Sequence, residues 1–233
     1  EHIEEAGVHS GDSACSLPPH ELAQPVGDMV RDQTVAMALE LGVVGLMNVQ
    51  FAIRGRTVYV LEVNPRASRT VPFVSKAIGK PIAKIAARLM AGETLEEVGF
   101  TEELIPSHVA VKEVVFPFNR FPGNDTLLSP EMKSTGEVMG IDKNFVRAYR
   151  KAQLASGFRL PTSGRAFISV KDSDKPLVLA AARQLVALGF EVVATRGTAS
   201  YLNDRSVPCT LVKKVMEGRP NIVDRIRSGD IDL

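Results

Sequence analysis

The alternation of apolar and polar positions divides the chain into two patterns. Residues 27–41 carry apolar side chains at helical spacing: Met29, Met37 and Leu41 form one row with Gln33, and Val30 and Ala38 the next with Thr34. This predicts a helix, with Gly42 as its stop. Two strand-like runs follow at 46–54 and 57–63, with Arg54-Gly55-Arg56 between them as a turn. Residues 74–91 read as a second helix, interrupted near Pro81. A strand is expected at 109–116 and a helix at 143–155, while residues 1–20 read as a polar Gly/Ser stretch. Gly157 to Gly164 has linker composition. Beyond it strands and helices alternate: strand 166–171, helix 176–188, strand 190–195, a Gly-Thr turn with a short helix, and a strand near 207–212. That order predicts a parallel open sheet.

The hairpin carries the strongest chemical signal. With its turn centred on Arg56, Gln50 falls opposite Glu62. The odd positions Val49, Phe51, Ile53, Tyr59, Leu61 and Val63 then form an apolar face expected to be buried. The even positions gather Asn48, Gln50, Glu62 and Asn64 on the other face. One carboxylate and three amides are hard oxygen donors, suited to Mg²⁺, which takes its remaining ligands from phosphate. A polar outer face is also what any half-exposed hairpin shows to water. Two features argue for more: the residues are Gln, Glu and Asn rather than Lys and Thr, and Arg66 and Arg69 follow directly. Arginine binds phosphate with a planar, permanently charged fork.

Composition narrows the class. The chain has 233 residues, 45% of them hydrophobic and 24% charged, enough for one large domain or two modest ones. A formal net charge of +1, with basic residues spread along the chain, gives no reason to expect nucleic acid as a partner. No apolar run approaches membrane-spanning length, so no membrane partner is expected either. Cys15 and Cys209 lie far apart, which fits a reducing cytoplasm better than a disulfide scaffold. The first residue is Glu1, and Ile231-Asp232-Leu233 reads like the opening of a strand; both suggest a fragment.

The run Glu62-Val63-Asn64-Pro65-Arg66 resembles the ATP-grasp ligases. Its continuation through Ala67-Ser68-Arg69-Thr70-Val71-Pro72-Phe73 is similar to the large subunits of carbamoyl-phosphate synthetase. Glu1-His2-Ile3-Glu4, Val8-His9-Ser10-Gly11-Asp12-Ser13, Met47-Asn48-Val49-Gln50-Phe51, Val111-Lys112-Glu113-Val114 and Met132 to Gly140 carry the same resemblance. It implies the C-terminal lobe of an ATP-grasp domain over 1–157, from the half that phosphorylates carbamate with ATP. It implies Mg²⁺ or Mn²⁺ held by Gln50, Glu62 and Asn64, with Gln50 and Glu62 also lining the ATP site. Gly7, Val8, His9 and Ser10 would pass over the nucleotide, and Arg69 with Arg66 would stabilise phosphate oxygens beside Glu62. Glu4, Asp12 and Glu113 match residues that bind the amines of ornithine, and His2 with Glu4 matches the surroundings of a potassium ion. A histidine in such a loop is otherwise an ordinary turn residue, and three scattered carboxylates are otherwise ordinary surface groups. The implied partners are a small glutaminase subunit and an oligomer of such heterodimers, serving pyrimidine and arginine biosynthesis.

Residues 158–233 resemble the methylglyoxal-synthase-like regulatory domain, here expected to be truncated. Ser169, Lys175 and Ala194-Thr195-Arg196-Gly197-Thr198 carry the likeness. A strand-to-helix turn with free N–H groups is an anion site; without the resemblance, Thr-x-Gly-Thr is a helix-capping turn. The resemblance implies that Ser169, Lys175, Thr195, Thr198 and Lys214 hold the phosphate of an effector such as UMP or IMP. Glu217-Gly218-Arg219-Pro220 replaces the Gly-rich acidic segment of the synthases, so binding rather than catalysis is expected. The fold class read from all this is α/β and α+β, an ATP-grasp lobe followed by a parallel open sheet. Two other readings stand beside it: an isolated effector-binding module, and a piece of another ATP-grasp ligase such as a biotin-dependent carboxylase.

Overall fold

The computed structural model describes residues 1–4, 9–121, 123, 125–129 and 131–233. The chain forms two compact units, Glu1–Phe158 and Arg159–Leu233.

In the first unit, β1 (Cys15–Leu17), β4 (Val109–Val115) and β5 (Gly136–Asp142) make an antiparallel sheet in the order β1-β4-β5. Consecutive residues of β4 point to opposite faces. Ala110 packs with Cys15, Phe73 and Ala77, so α2 (Val71–Ile78) covers one face. Val111 packs with Ala148 and Ala152, so α5 (Phe145–Ala155) covers the other. This close approach depends on Gly140: a Cβ there would lie 2.0 Å from the Ala148 carbonyl oxygen and 2.6 Å from the Ala152 nitrogen. Neither β1 nor β5 stands out in the sequence pattern, β1 because three residues are too few to alternate and β5 because two glycines interrupt it.

The remaining elements are α1 (Gln24–Glu40), the ribbon β2 (Asn48–Arg54) and β3 (Thr57–Asn64), α3 (Ile82–Met90) and the single turn α4 (Leu95–Val98). The helix expected at 74–91 is two helices, since Gly79 ends α2 in the left-handed region (φ 69°) and Pro81 precedes α3. None of the apolar residues expected to line α1 is fully buried: Val30, Met37 and Ala38 are half-buried and Met29 and Leu41 exposed, while the buried residue of α1 is Val26, outside the expected rows.

The ribbon also corrects an expectation. Its turn is the two-residue Gly55-Arg56 with Arg54 opposite Thr57, so Ile53 faces Val58, Ala52 faces Tyr59 and Phe51 faces Val60. Gly55 has φ 62°, matching the Gly preference at the first central position of a II′ turn. A bulge at Leu61 then restores the expected register, so Gln50 does face Glu62 and Asn48 faces Asn64. The bulge reverses the facing of the outer half, which moves Tyr59 out of the expected apolar row. That row is not a buried face: Ile53 is 42% and Tyr59 51% exposed, because the ribbon is a separate two-stranded sheet.

In the second unit, β6 (Gly164–Ile168), β7 (Phe190–Thr195) and β8 (Cys209–Val212) are parallel, in that order. Ile168 and Val192 pack against Ala182 of α6 (Lys175–Ala187) and Leu202 of α7 (Arg196–Asn203). Val193 and Val212 pack on the opposite face against Ile222 of α8 (Ile222–Arg227). Coverage on both faces is what a parallel sheet requires. The last residues, expected to open a strand, are assigned to none, though Phe167 N–H donates to the Leu233 carbonyl at 2.7 Å and Leu233 N–H to the Arg165 carbonyl at 3.2 Å.

Candidate functional site

The ribbon's polar side chains open into a cleft of about 220 Å³. Gln50, Glu62, Asn64, Arg66 and Arg69 all line it, joined by His2, Lys112 and Glu137. Gln50 and Glu62 are directly opposed across the strands, and the Asn64 amide donates to a Glu62 carboxylate oxygen. Among the described residues no cluster of three His, Cys, Asp or Glu side chains could hold a metal. The donor set here is different: one carboxylate with amides, whose oxygens serve a hard cation equally well. The convergence of Asn64 on Glu62 therefore fits a Mg²⁺-type site with few protein ligands.

Arg69 is held by neighbouring loops. Its guanidinium donates to the Gly11 carbonyl and to Ser134 Oγ, both at 3.1 Å, and lies 3.8 Å from Glu137. Arg66 donates to the Ala67 carbonyl at 3.2 Å. The two loops that hold Arg69 are themselves tied together by Asp12. Its carboxylate accepts the Lys133 N–H at 2.6 Å and the Ser134 N–H at 3.2 Å, and the residue is 2% exposed. Burial alone would raise this carboxyl's pKa; the Lys133 and Ser134 hydrogen bonds and the Arg69 charge outweigh it and hold it below the usual range. Asp12 thus accepts two backbone amides, one on each of its carboxylate oxygens.

Glu4 and Glu113 lie close to each other. Glu4 accepts the Ala14 N–H at 2.9 Å, and Glu113 accepts from Val114 N–H and from the Gln153 amide. Burial and the Glu4 charge push the Glu113 carboxyl up. Its side chain leaves β4 on the α5 side, while Lys112 leaves on the side of α2. His2 is pushed down by burial and by the N-terminal and Lys112 charges. His9 heads the 3₁₀ turn Ser10–Asp12, and its carbonyl accepts from Asp12 N–H and Ser13 Oγ. Its Nδ1 is buried without a partner among the described residues. Gly7 and Val8 lie outside the described residues, as does the side chain of Ser10.

The second candidate site sits at the carboxyl ends of the three parallel strands. Ser169 follows β6, Thr195 ends β7, and Lys214 follows β8 by two residues. Ser169 Oγ and Thr195 Oγ1 are 3.1 Å apart. Thr198 is 1% exposed, its hydroxyl 3.5 Å from both the amide and the carbonyl of Val170. Lys175 pairs with Asp172 at 2.6 Å, and its Nζ lies 3.2 Å from where a Cβ of Gly197 would be, placing an ammonium at the start of α7. Asp172 is pulled down by the Lys175 hydrogen bond and charge and by the nearby charge of Lys214. Thr195 caps α7 without a side-chain bond, so the first N–H groups of that helix face the same point. All five residues expected to make a phosphate pocket are therefore gathered at one end of one sheet. Sequence reasoning missed Lys112 and Glu137, which share no local motif with the ribbon; only the pairing of β4 with β5 brings them together.

Comparison with known proteins agrees with this two-part layout. The family described as "Carbamoyl-phosphate synthase L chain, ATP binding domain" matches residues 2–98, and the "MGS-like domain" matches residues 177–233. Proteins named carbamoyl phosphate synthase large chain align over all 233 residues. Those of Pseudomonas aeruginosa and Myxococcus xanthus are each 60% identical, and that of Pseudomonas putida 61%. The chain spans 22% of the length of each of these relatives. Along its whole length the chain thus matches carbamoyl phosphate synthase large chains, with sequence like their ATP-binding domain followed by MGS-like sequence.

Proposed function

We propose that residues 1–157 form part of the site of a synthetase that phosphorylates carbamate with ATP, and that residues 158–233 form part of its effector-binding domain. The observation that carries this reading is the convergence of Gln50, Glu62 and Asn64 in one cleft with Arg66 and Arg69. Mg²⁺ or Mn²⁺ held there would bridge and neutralise phosphate oxygens. Glu62 and Gln50 fix the position of the charge, and Asn64 holds the Glu62 carboxylate in place. The two guanidiniums face the oxygens that gain charge in the transfer, and Arg69 arrives oriented because Gly11 and Ser134 already hold it. No side-chain nucleophile is required; positioning and electrostatics do the work. Gly7, Val8, His9 and Ser10 are proposed to contact the nucleotide.

Three further roles belong to the same reading. Thr195, Thr198, Ser169, Lys175 and Lys214 are proposed to hold the phosphate of a nucleotide effector such as UMP or IMP. Glu4 and Glu113, two neighbouring carboxyls, suit an amine-bearing activator such as ornithine, and His2 with Glu4 a potassium ion. A glutaminase subunit is proposed as the source of ammonia, and the cytoplasm as the compartment.

The test is ATP formation from ADP and carbamoyl phosphate in the full-length synthetase carrying these residues. Glu62→Ala is expected to lower it by roughly a hundredfold or more. A rate within twofold of the parent would remove the cleft from the reaction. The 233-residue chain alone is expected to make no carbamoyl phosphate.

A further inference from the structure

Lys112 and Glu137 line the cleft beside the ribbon's polar residues. Lys112 is 5% exposed, and a lysine is rarely so buried unless its charge is paired. Its Nζ meets Glu137 Oε1 at 3.2 Å, and that same oxygen lies 3.8 Å from Arg69 Nη2. The contact with Lys112 is diagonal across β4 and β5, since Lys112 is opposite Met139 and Glu137 opposite Val114. One carboxylate thus serves two cations, and all three side chains line the cleft that holds Gln50, Glu62 and Asn64.

A buried ion pair of this kind is weak as a stabilising device, because desolvation offsets most of the attraction. Its placement suggests another use. An ammonium has three donors, and Glu137 occupies one of them. Three cations, Lys112, Arg66 and Arg69, face the cleft against two carboxylates, Glu62 and Glu137. That surplus suits an anion, and Lys112 is the most deeply buried and so the least screened of the three.

We propose that Lys112 is a third phosphate-facing cation of the cleft, and that Glu137 is the positioning residue that fixes both Lys112 and Arg69 toward the transferred phosphoryl group. This rests on the phosphoryl-transfer reading of the cleft. Glu137 touches no substrate; it keeps two positive charges at a set separation that would otherwise repel each other.

The experiment uses the full-length synthetase, with ATP formation from ADP and carbamoyl phosphate as one readout, Mn²⁺ affinity as a second and thermal unfolding as a third. Lys112→Gln is expected to lower the turnover number about tenfold or more and to leave Mn²⁺ affinity within threefold. Glu137→Gln should lower it less, with part of the loss recovered in Glu137→Asp. Should Lys112→Gln unfold, the double variant with Glu137→Gln removes both buried charges together. A folded double variant still deficient in transfer supports the proposal, and one with the parent rate overturns it. A Lys112→Gln enzyme within twofold of the parent overturns it as well. Glu62→Ala separates the two claims: if it abolishes transfer while Lys112→Gln does not, the cleft reading stands and only this inference fails. If neither matters, both fail.

Discussion

The two candidate sites are both built for phosphate, yet they are held in place by opposite means. At the strand ends of the second unit, Thr195 and Thr198 are nearly sealed, at the end of the buried strand β7 and in the first turn of α7. Their positions follow from where three packed strands stop. In the ribbon cleft, Glu62, Arg66 and Arg69 are exposed, on or just beyond a two-stranded sheet whose apolar residues Ile53 and Tyr59 also remain open. There the order comes from polar contacts: Asp12 ties two loops, those loops hold Arg69, and Glu137 lies beside it. Packing fixes one site and hydrogen bonding the other. The second kind should be more sensitive to single polar substitutions and to pH.

The largest expected effect tests the scaffold behind the cleft. Gly140→Val on β5 would drive side-chain atoms into the backbone of α5 at Ala148 and Ala152, which cannot yield as a flexible side chain can. A loss of about 3 kcal/mol or more is expected, read as a lowered unfolding midpoint or failure to fold. A small shift would mean that α5 is free to move off the sheet, and that Glu137 and Ser134 are less firmly placed than their contacts imply.

Asp12 comes next. Asp12→Asn weakens two backbone hydrogen bonds to a charged acceptor, and about 1–3 kcal/mol is expected at neutral pH. The sign with pH follows from the depressed carboxyl. Stability from Asp12 is fully present above the ordinary aspartate value of about 3.9 and is lost as pH falls through its lower folded value. The Asn variant should lack that acid limb. Glu113 has the opposite sign. Its raised carboxyl favours the protonated form in the folded state, so stability falls as pH climbs from about 4.3 through the folded value. Glu113→Gln should therefore raise the unfolding midpoint at pH 7 and flatten this dependence. A single variant with unchanged pH slope would break the claim for that residue.

How much of this was legible beforehand follows the same division. The second unit could be read almost element by element, because its strands are continuous apolar runs between helices, and Thr195 to Thr198 carry their own local signal. The pairing of Gln50 with Glu62 was legible as well, although by way of a turn one step off and a bulge that compensates. Burial of the ribbon's apolar face was misjudged, since alternation gives a face but not what covers it. The ties around Arg69 were invisible. Gly11, Asp12, Ser134 and Glu137 are separated from it by 57 residues or more, and nothing local in their sequence announces a shared partner.

The smallest expected effect on stability is also the cleanest probe of the strand-end site. Gly197→Ala places a Cβ 3.2 Å from Lys175 Nζ and 4.0 Å from its Cε, meeting only the far end of a flexible side chain. Gly197 lies within α7 and has no positive φ, so the alanine itself is tolerated and its helix preference gains up to about 1 kcal/mol. The unfolding midpoint should stay level or rise slightly. The ammonium, in contrast, must withdraw from the start of α7. If it stands there to meet an anion with the first N–H groups of the helix, phosphate and UMP binding measured by calorimetry should weaken several-fold. A variant that is equally stable and binds both anions as tightly would show that Lys175 is there only to pair with Asp172. The contrast with Gly140 is then direct: two glycines at close approaches, one filling against backbone and felt by the fold, the other filling against a charge and felt by the ligand.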